Sequence, residues 1–429
     1  MTTSNTSKGK YKRDQYRIRY PYLFPEGKMI PGRIPTVNIP GVISLASAGQ
    51  YPASSAGPIY GISDNFTWVR GDHTLKTGLP FERAGENDND QPGNQQNGTF
   101  SFLHTRPGGT GLALANAALG LFSTYAEGGV RSYTPCRSQM MEWFAQDSWK
   151  VTPKLRLEMG LPHSLIQPYY SLWRNMWVFD ARVYDSRIAV TQDPRTGFII
   201  SGDLKSRYNG LVLPGDGWPA SAQGRFPIAD SGEYDFLFRG IPKEYSPTHK
   251  RDLQPRLGIA YAVTPNMAVR SGVGRFFQRL GVSDNTFLGA NPPLQPASTI
   301  SNGSVDQPGG GTSLALPLSV TTQDRDYRNP ESWVWNVSVE RQLPWRTTLA
   351  AAYIGRRGLH SPIALNLNQL PTGTLTANPG INADYLRPYK GYGSIQFGTN
   401  AGSSRYNGLQ LEASRRFSGS FGFGVSYTY

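Results

Sequence analysis

The residues that could do chemistry stand apart from one another in this sequence. Its five histidines are His73, His104, His163, His249 and His360. They show no paired spacing and no His-x-x-Glu-His run, so no helix face offers two imidazoles to one metal. Cys136 is the one cysteine, which excludes an intrachain disulfide and a zinc site built on paired thiolates. Glu86, Asp88 and Asp90 alternate with asparagines and present the oxygen ligands that calcium takes. A solvated acidic loop accounts for the same residues, so no metal and no cofactor is assigned. Gly272-Val273-Gly274 lies in a strand-like run and precedes no helix start, so it is not a phosphate loop. Pro308–Gly311 reads as a flexible loop. Tyrosines and cations interleave over Lys10–Tyr22, a pattern on which single-stranded nucleic acid can stack. A basic strand rim explains it more simply, and no nucleic-acid partner is assigned. No nucleophile–base constellation is visible, and no enzyme is expected.

The elements that carry these residues are strands. Glycine reaches 48 and tyrosine 23 of the 429 residues, while charged residues are only 17 %. Ordinary soluble domains carry about 25 % charged residues. The formal charge of +13 is spread along the chain apart from Lys8–Arg19, so it reads as a solvated basic surface. Met1–Lys10 lacks the apolar core of a signal peptide. No run approaches the ~20 apolar residues of a membrane helix. The longest, Gly111–Phe122, suits a short loop helix. A membrane strand needs only ~9–11 alternating residues, so the absence of helical spans leaves a barrel open.

Alternation of period two, broken by short turns, gives five hairpins. They are Asp64–Arg70 with Thr74–Glu82, Met141–Lys150 with Leu155–His163, Arg256–Val263 with Met267–Phe277, Trp333–Gln342 with Thr347–Gly355, and Tyr406–Phe417 with Ser420–Tyr429. Val-Thr-Pro recurs at two of the turns, where proline presets φ and needs no ladder partner. Between the hairpins lie segments 83–140, 164–255, 278–332 and 356–405, rich in Gly, Pro and Asn and poor in periodic apolar content. They read as long mobile loops, with short strands expected at Phe198–Ile200 and Ser394–Phe397. Loops beyond ~12–15 residues are uncommon in a compact soluble domain. Short turns at one end and long loops at the other are the arrangement of outer-membrane barrels. The fold class expected is therefore all-β, an antiparallel transmembrane β-barrel with short periplasmic turns and long extracellular loops.

Strand length agrees. From Trp333 to Leu343 is ~33 Å of strand. Tilted ~40°, that covers the ~25 Å apolar band of such barrels. Trp333 and Trp335 then sit near one interface and Trp345 near the other. Trp68, Trp149 and Phe417 lie beside short turns. With Trp143, Tyr427 and Tyr429 they are the candidate interfacial aromatics, because such rings are apolar while their N–H or O–H wants water. Leu257, Ile259, Tyr261 and Val263 are expected to face lipid, and Arg256, Gly258 and Ala260 the lumen.

Five segments carry a family resemblance. They are Ile62–Gly78, Phe144–Leu161 (FAQDSWKVTPKLRLEMGL), Leu253–Arg279, Trp335–His360 and Tyr406–Tyr429. In this order they resemble the barrel of TonB-dependent outer-membrane transporters, specifically the Oar-like receptors. The resemblance implies a barrel of about 22 strands around a plug, an outer-membrane location, and TonB-driven uptake of a large ligand. The ligand class (siderophore, glycan or peptide) is not resolved. The partners implied are outer-membrane lipid and, in the full-length protein only, the TonB complex.

Two features depart from the family pattern. Gly78-Leu79-Pro80 and Gly160-Leu161-Pro162 put proline where strands usually continue. A bulge and sequence degeneration are both open there. No plug or TonB box precedes the first hairpin, and strands the family expects after Tyr429 are missing. Residues 1–60 are thus read as a basic, irregular segment with one or two strands, and 61–429 as a partial barrel. A fragment of this kind is expected to be a truncated product or a misplaced start, and not to transport on its own. The alternative reading is a secreted soluble β-protein that binds glycans through long aromatic loops.

Overall fold

The computed structural model describes residues 12–429 except 27, 29–30, 46–54, 89–95, 130–132, 282–286, 296, 307–315 and 419. Lys8, Lys10, Asp90 and the stretch Pro308–Gly311 therefore lie outside the described residues. Ten strands follow one another as a meander. They are β1 (Asn65–Arg70), β2 (His73–Gly78), β3 (Thr134–Thr152), β4 (Leu155–Ile166), β5 (Arg256–Thr264), β6 (Met267–Phe277), β7 (Glu331–Leu343), β8 (Thr347–Asn366), β9 (Tyr392–Ser418) and β10 (Phe421–Thr428). Each pairs antiparallel with the next in sequence. All five hairpins read from the alternation are present. Among the described residues the sheet does not close: β1 and β10 are the edges of the meander, and Leu318–Gln323 pairs parallel with the upper part of β9.

Turn chemistry fixes the registers. Thr152 Oγ1 accepts the backbone N–H groups of Lys154 at 3.2 Å and Leu155 at 3.0 Å, which closes the β3–β4 turn around Pro153. Thr264 Oγ1 does the same for Asn266 at 3.3 Å in the β5–β6 turn. In the β7–β8 turn Trp345 and Arg346 both have positive φ, 60° and 58°. Two consecutive left-handed residues match the twist of a hairpin, at a steric cost for side chains other than glycine.

Prolines mark the level at which the sheet changes character. Pro80, Pro162, Pro255 and Pro330 each accept a ladder hydrogen bond from the neighbouring strand. The donors are Glu142 at 3.0 Å, Gln254 at 2.8 Å, Arg275 at 3.0 Å and Gln278 at 3.0 Å. None of the four can return one, because proline has no N–H. Pro80 interrupts a strand without shifting it: Gly78 faces Phe144 before the break, and Phe81 faces Met141 after it. Pro162 sits inside β4 opposite Phe144 in unbroken register. The bulge considered for both sites is therefore absent at both, and each proline removes one bond from the ladder while keeping the alternation.

Beyond that level the chain folds back on the sheet as a cap with three cores. These cores are built largely from the segments read as long loops. Met176-Trp177-Val178-Phe179 is a buried run whose side chains divide between two cores: Trp177 and Phe179 in one, Met176 and Val178 in the other. Leu211-Val212-Leu213 divides in the same way. A strand buried on both faces has no period two, so its sequence carried no alternation to read. Segment 356–405 is also shorter as a loop than expected, because β8 runs on to Asn366 and β9 begins at Tyr392. Ile199–Ser201 forms one of the short strands expected inside the loops, and Ala113–Ala118 the short helix.

The N-terminal residues join the cap. Thr36–Ile39 pairs with Ile43–Leu45 and Thr99–Ser101 in a separate five-stranded sheet. Arg13 lies over the rings of Tyr20 and Tyr22 at 4.3 and 4.1 Å and donates to the Tyr20 carbonyl. The basic, tyrosine-rich stretch thus spends this cation on its own packing.

Candidate functional site

The site is a surface. Along β5, Leu257, Ile259, Tyr261 and Val263 are 45, 40, 44 and 37 % exposed. Their cross-strand partners continue one apolar face: Met159, Leu157 and Leu155 on β4, Val273 and Val269 on β6. The same face passes through Trp335, Val337 and Val339 on β7, Tyr353 and Ala351 on β8, Leu409 and Leu411 on β9, and Tyr427 on β10. Arg256, Gly258 and Ala260 fall on the opposite face. That face carries Lys76, Gln146, Glu158, Arg270, Asn336, Glu340 and Glu412. An apolar face this wide and this exposed is the wrong way out for water and the right way out for hydrocarbon.

The candidate aromatics occupy different levels of this face. Trp68 lies two residues before the end of β1 and is 44 % exposed, with Arg70 over its ring at 5.6 Å. Trp149 lies close to the β3–β4 turn and stacks on His73 at 5.2 Å. Trp345 is in the β7–β8 turn itself, 79 % exposed. Trp143 sits at the middle of β3, 5.7 Å from the His163 ring. Trp333 and Trp335 lie near the start of β7, and the Trp333 indole donates to Glu331 at 2.6 Å. Gly355 faces Trp335, and a Cβ there would meet the ring at 2.1 Å, so the indole lies flat on the backbone of β8. Tyr427 is 57 % exposed opposite Leu411, one residue before the end of β10, and Tyr429 exchanges two backbone bonds with Leu409 beyond that end.

One polar group on this face was missed at the level of sequence. Asp147 alternates with Trp143, Ala145 and Trp149, so the period of two alone places it on the apolar face. It pairs with His73 at 2.7 Å, between Leu75 and Met159 of the flanking strands. His73, stacked on Trp149, gives the Asp147 carboxylate a hydrogen-bond partner where it would otherwise stand bare beside hydrocarbon. On the opposite face, Ser164 donates to Glu142 at 2.5 Å and Gln254 to Ser164 at 2.6 Å, tying the tops of β3 and β4 to the residues before β5.

Charges in the cap are held inside it. Glu127 accepts from Lys28 at 2.6 Å, Tyr125 at 2.5 Å and the backbone of Leu23 and Phe24 at 3.0 Å each. Burial lowers the Lys28 ammonium and the neighbouring carboxylate opposes that shift. Burial pushes the Arg207 guanidinium down to about 10, which leaves it charged at neutral pH. It donates to the carbonyls of Leu316 and Gly391. Burial would raise Asp180, but hydrogen bonds from Arg182 and Arg325 outweigh it and hold the carboxyl below its ordinary value. Among the described residues no group of three or more His, Cys, Asp or Glu side chains is placed to hold a metal, and no helix is long and apolar enough to cross a membrane.

No curated protein matches the sequence. The FrpB iron transporter of Neisseria meningitidis (F5-1 variant) is similar at 10 % identity and a TM-score of 0.39, over 88 % of this chain and 36 % of that one. The outer membrane transporter YddB of Escherichia coli is similar at 9 % identity and a TM-score of 0.39, over 84 % and 31 %. A variant of the ferric enterobactin receptor PfeA of Pseudomonas aeruginosa is similar at 11 % identity and a TM-score of 0.42, over 87 % and 36 %. The chain therefore spans about a third of the length of these solved structures. The family model of the outer membrane beta barrel domain matches residues 2–429. With its apolar face turned outward along a ten-strand meander, the chain belongs to the outer membrane beta barrel domain family and to the outer membrane.

Proposed function

We propose that this chain is the barrel portion of a TonB-dependent receptor that takes up a large ligand. The observation that carries the reading is the asymmetry of the sheet. Five turns of a few residues lie at one end, and at the other end four segments fold into a packed cap. A barrel of this kind presents the cap to the outside, where a ligand is first met, and the short turns to the periplasm. The polar face, with Lys76, Arg156, Arg256 and Glu412, suits a lumen that houses a plug. The five segments quoted above add the resemblance to Oar-like receptors. The girdle role of Trp68, Trp143, Trp149, Trp333, Trp335, Trp345, Tyr427 and Tyr429 belongs to the same proposal.

The test is uptake. Cells carrying the complete gene are offered labelled siderophores, oligosaccharides and peptides, with and without an uncoupler of the proton-motive force. Accumulation of one class that vanishes with the uncoupler supports the reading. Passage that ignores the uncoupler makes the protein a passive pore, and the TonB assignment fails.

A further inference from the structure

Cations cluster on the apolar face at the cap end, and two of them, Arg357 and Arg405, meet no carboxylate among the described residues. Arg275, Trp333, Arg357 and Arg405 stand directly opposite one another in turn across β6, β7, β8 and β9. Arg275 is spoken for: it pairs with Glu331 at 2.8 Å and lies over Trp333 at 5.7 Å. Arg357 and Arg405 are exposed and have no carboxylate or hydrogen-bond partner among the described residues. Like charges directly opposite on neighbouring strands destabilise a sheet unless an anion sits between them. Beside this row a groove of about 450 Å³ is lined by Lys250, Arg251, Arg328, Arg275 and His360, and also by the carboxylates of Asp252 and Glu331, which are taken up by Asn329 and Arg275. These first three are exposed, and none has a carboxylate partner among the described residues.

The level of the row says what meets it. From Arg357 to the β8 turn residue Thr347 is about ten residues, or ~25 Å of height at a ~40° tilt. That is the height of the apolar band, so the guanidinium stands at its upper boundary, above Tyr353 and Leu349 on the same face. A charge there faces neither hydrocarbon nor lumen. It faces the headgroup layer on the cap side.

We infer that Arg357 and Arg405, with Lys250, Arg251 and Arg328 beside them, bind the phosphorylated headgroups of outer-leaflet lipid. Guanidinium is the group of choice for this, since its planar fork matches phosphate oxygens two at a time. The inference rests on the outer-membrane location and the orientation proposed above.

The experiment places the chain in lipid nanodiscs that contain bis-phosphorylated lipid A or its dephosphorylated form, and counts retained lipid by native mass spectrometry. Retention of the phosphorylated form is expected to fall roughly tenfold or more in the Arg357→Gln/Arg405→Gln double variant, as two cations leave an anionic surface. Arg357→Lys/Arg405→Lys is expected to restore part of it. Arg341→Gln, on the same face at the short-turn end, is expected to change nothing. Equal retention of both lipids, or equal displacement by free pyrophosphate, overturns the inference while leaving the barrel reading intact. Failure of every form, including the unaltered chain, to insert overturns both.

Discussion

The sheet below the proline level and the cap above it are made from one chain by opposite rules. Below, Ile259 and Tyr261 are 40 and 44 % exposed, and the sheet has no core of its own. Above, Trp177 and Tyr392 are fully buried, both 0 % exposed, in a core that closes over them. The residue types are similar; the surroundings differ. Where lipid is the solvent, burial of an apolar side chain needs no protein neighbour, and backbone pairing carries the structure. Where water is the solvent, the same side chains must find each other. β3 crosses from one regime to the other: its residues from Thr134 to Ser138 are mostly buried, and those from Met141 onward alternate in the open.

The comparison breaks first where a core can be emptied. Trp177→Ala is expected to cost about 3–5 kcal/mol and to loosen the cap, while the membrane strands keep their heat-modifiable gel mobility. Near-ultraviolet circular dichroism and gel shift, read on one sample, check this; joint loss of both would show that cap and sheet fold as one unit.

A charge in the band gives the next largest effect. Ile259→Arg is expected to cost about 2–4 kcal/mol in denaturant unfolding from lipid. Ala260→Arg, one residue on and on the polar face, is expected to cost clearly less. Equal costs would mean the two faces have been assigned without physical consequence.

A smaller effect is confined to the cap. Asp180 is held below its ordinary value by Arg182 and Arg325, so its contribution is complete at neutral pH. It is lost as pH falls below the ordinary carboxylate range, through the depressed folded value. The acid transition of the cap in Asp180→Asn should therefore be displaced to higher pH, with the band unaffected. An unchanged transition would remove this pair from the account.

The division also explains what could be read from the sequence. Half-exposed strands advertise themselves by period two, so Arg256–Val263 and Trp333–Gln342 were legible to within a residue or two. Strands buried on both sides do not, so Met176–Phe179 and Leu211–Leu213 were passed over as loop. Proline was misleading. Pro162 lies within a paired strand in unbroken register, although a bulge or sequence degeneration was open there. The cation row of Arg275, Arg357 and Arg405 needed cross-strand register, which no single strand encodes.

The account stands or falls on which residues touch lipid. Single cysteines at each position from Arg256 to Val263, spin-labelled in lipid vesicles, report oxygen accessibility residue by residue. The account predicts maxima at positions 257, 259, 261 and 263 and minima at 256, 258, 260 and 262. A flat profile, or one shifted by a single residue, would contradict it.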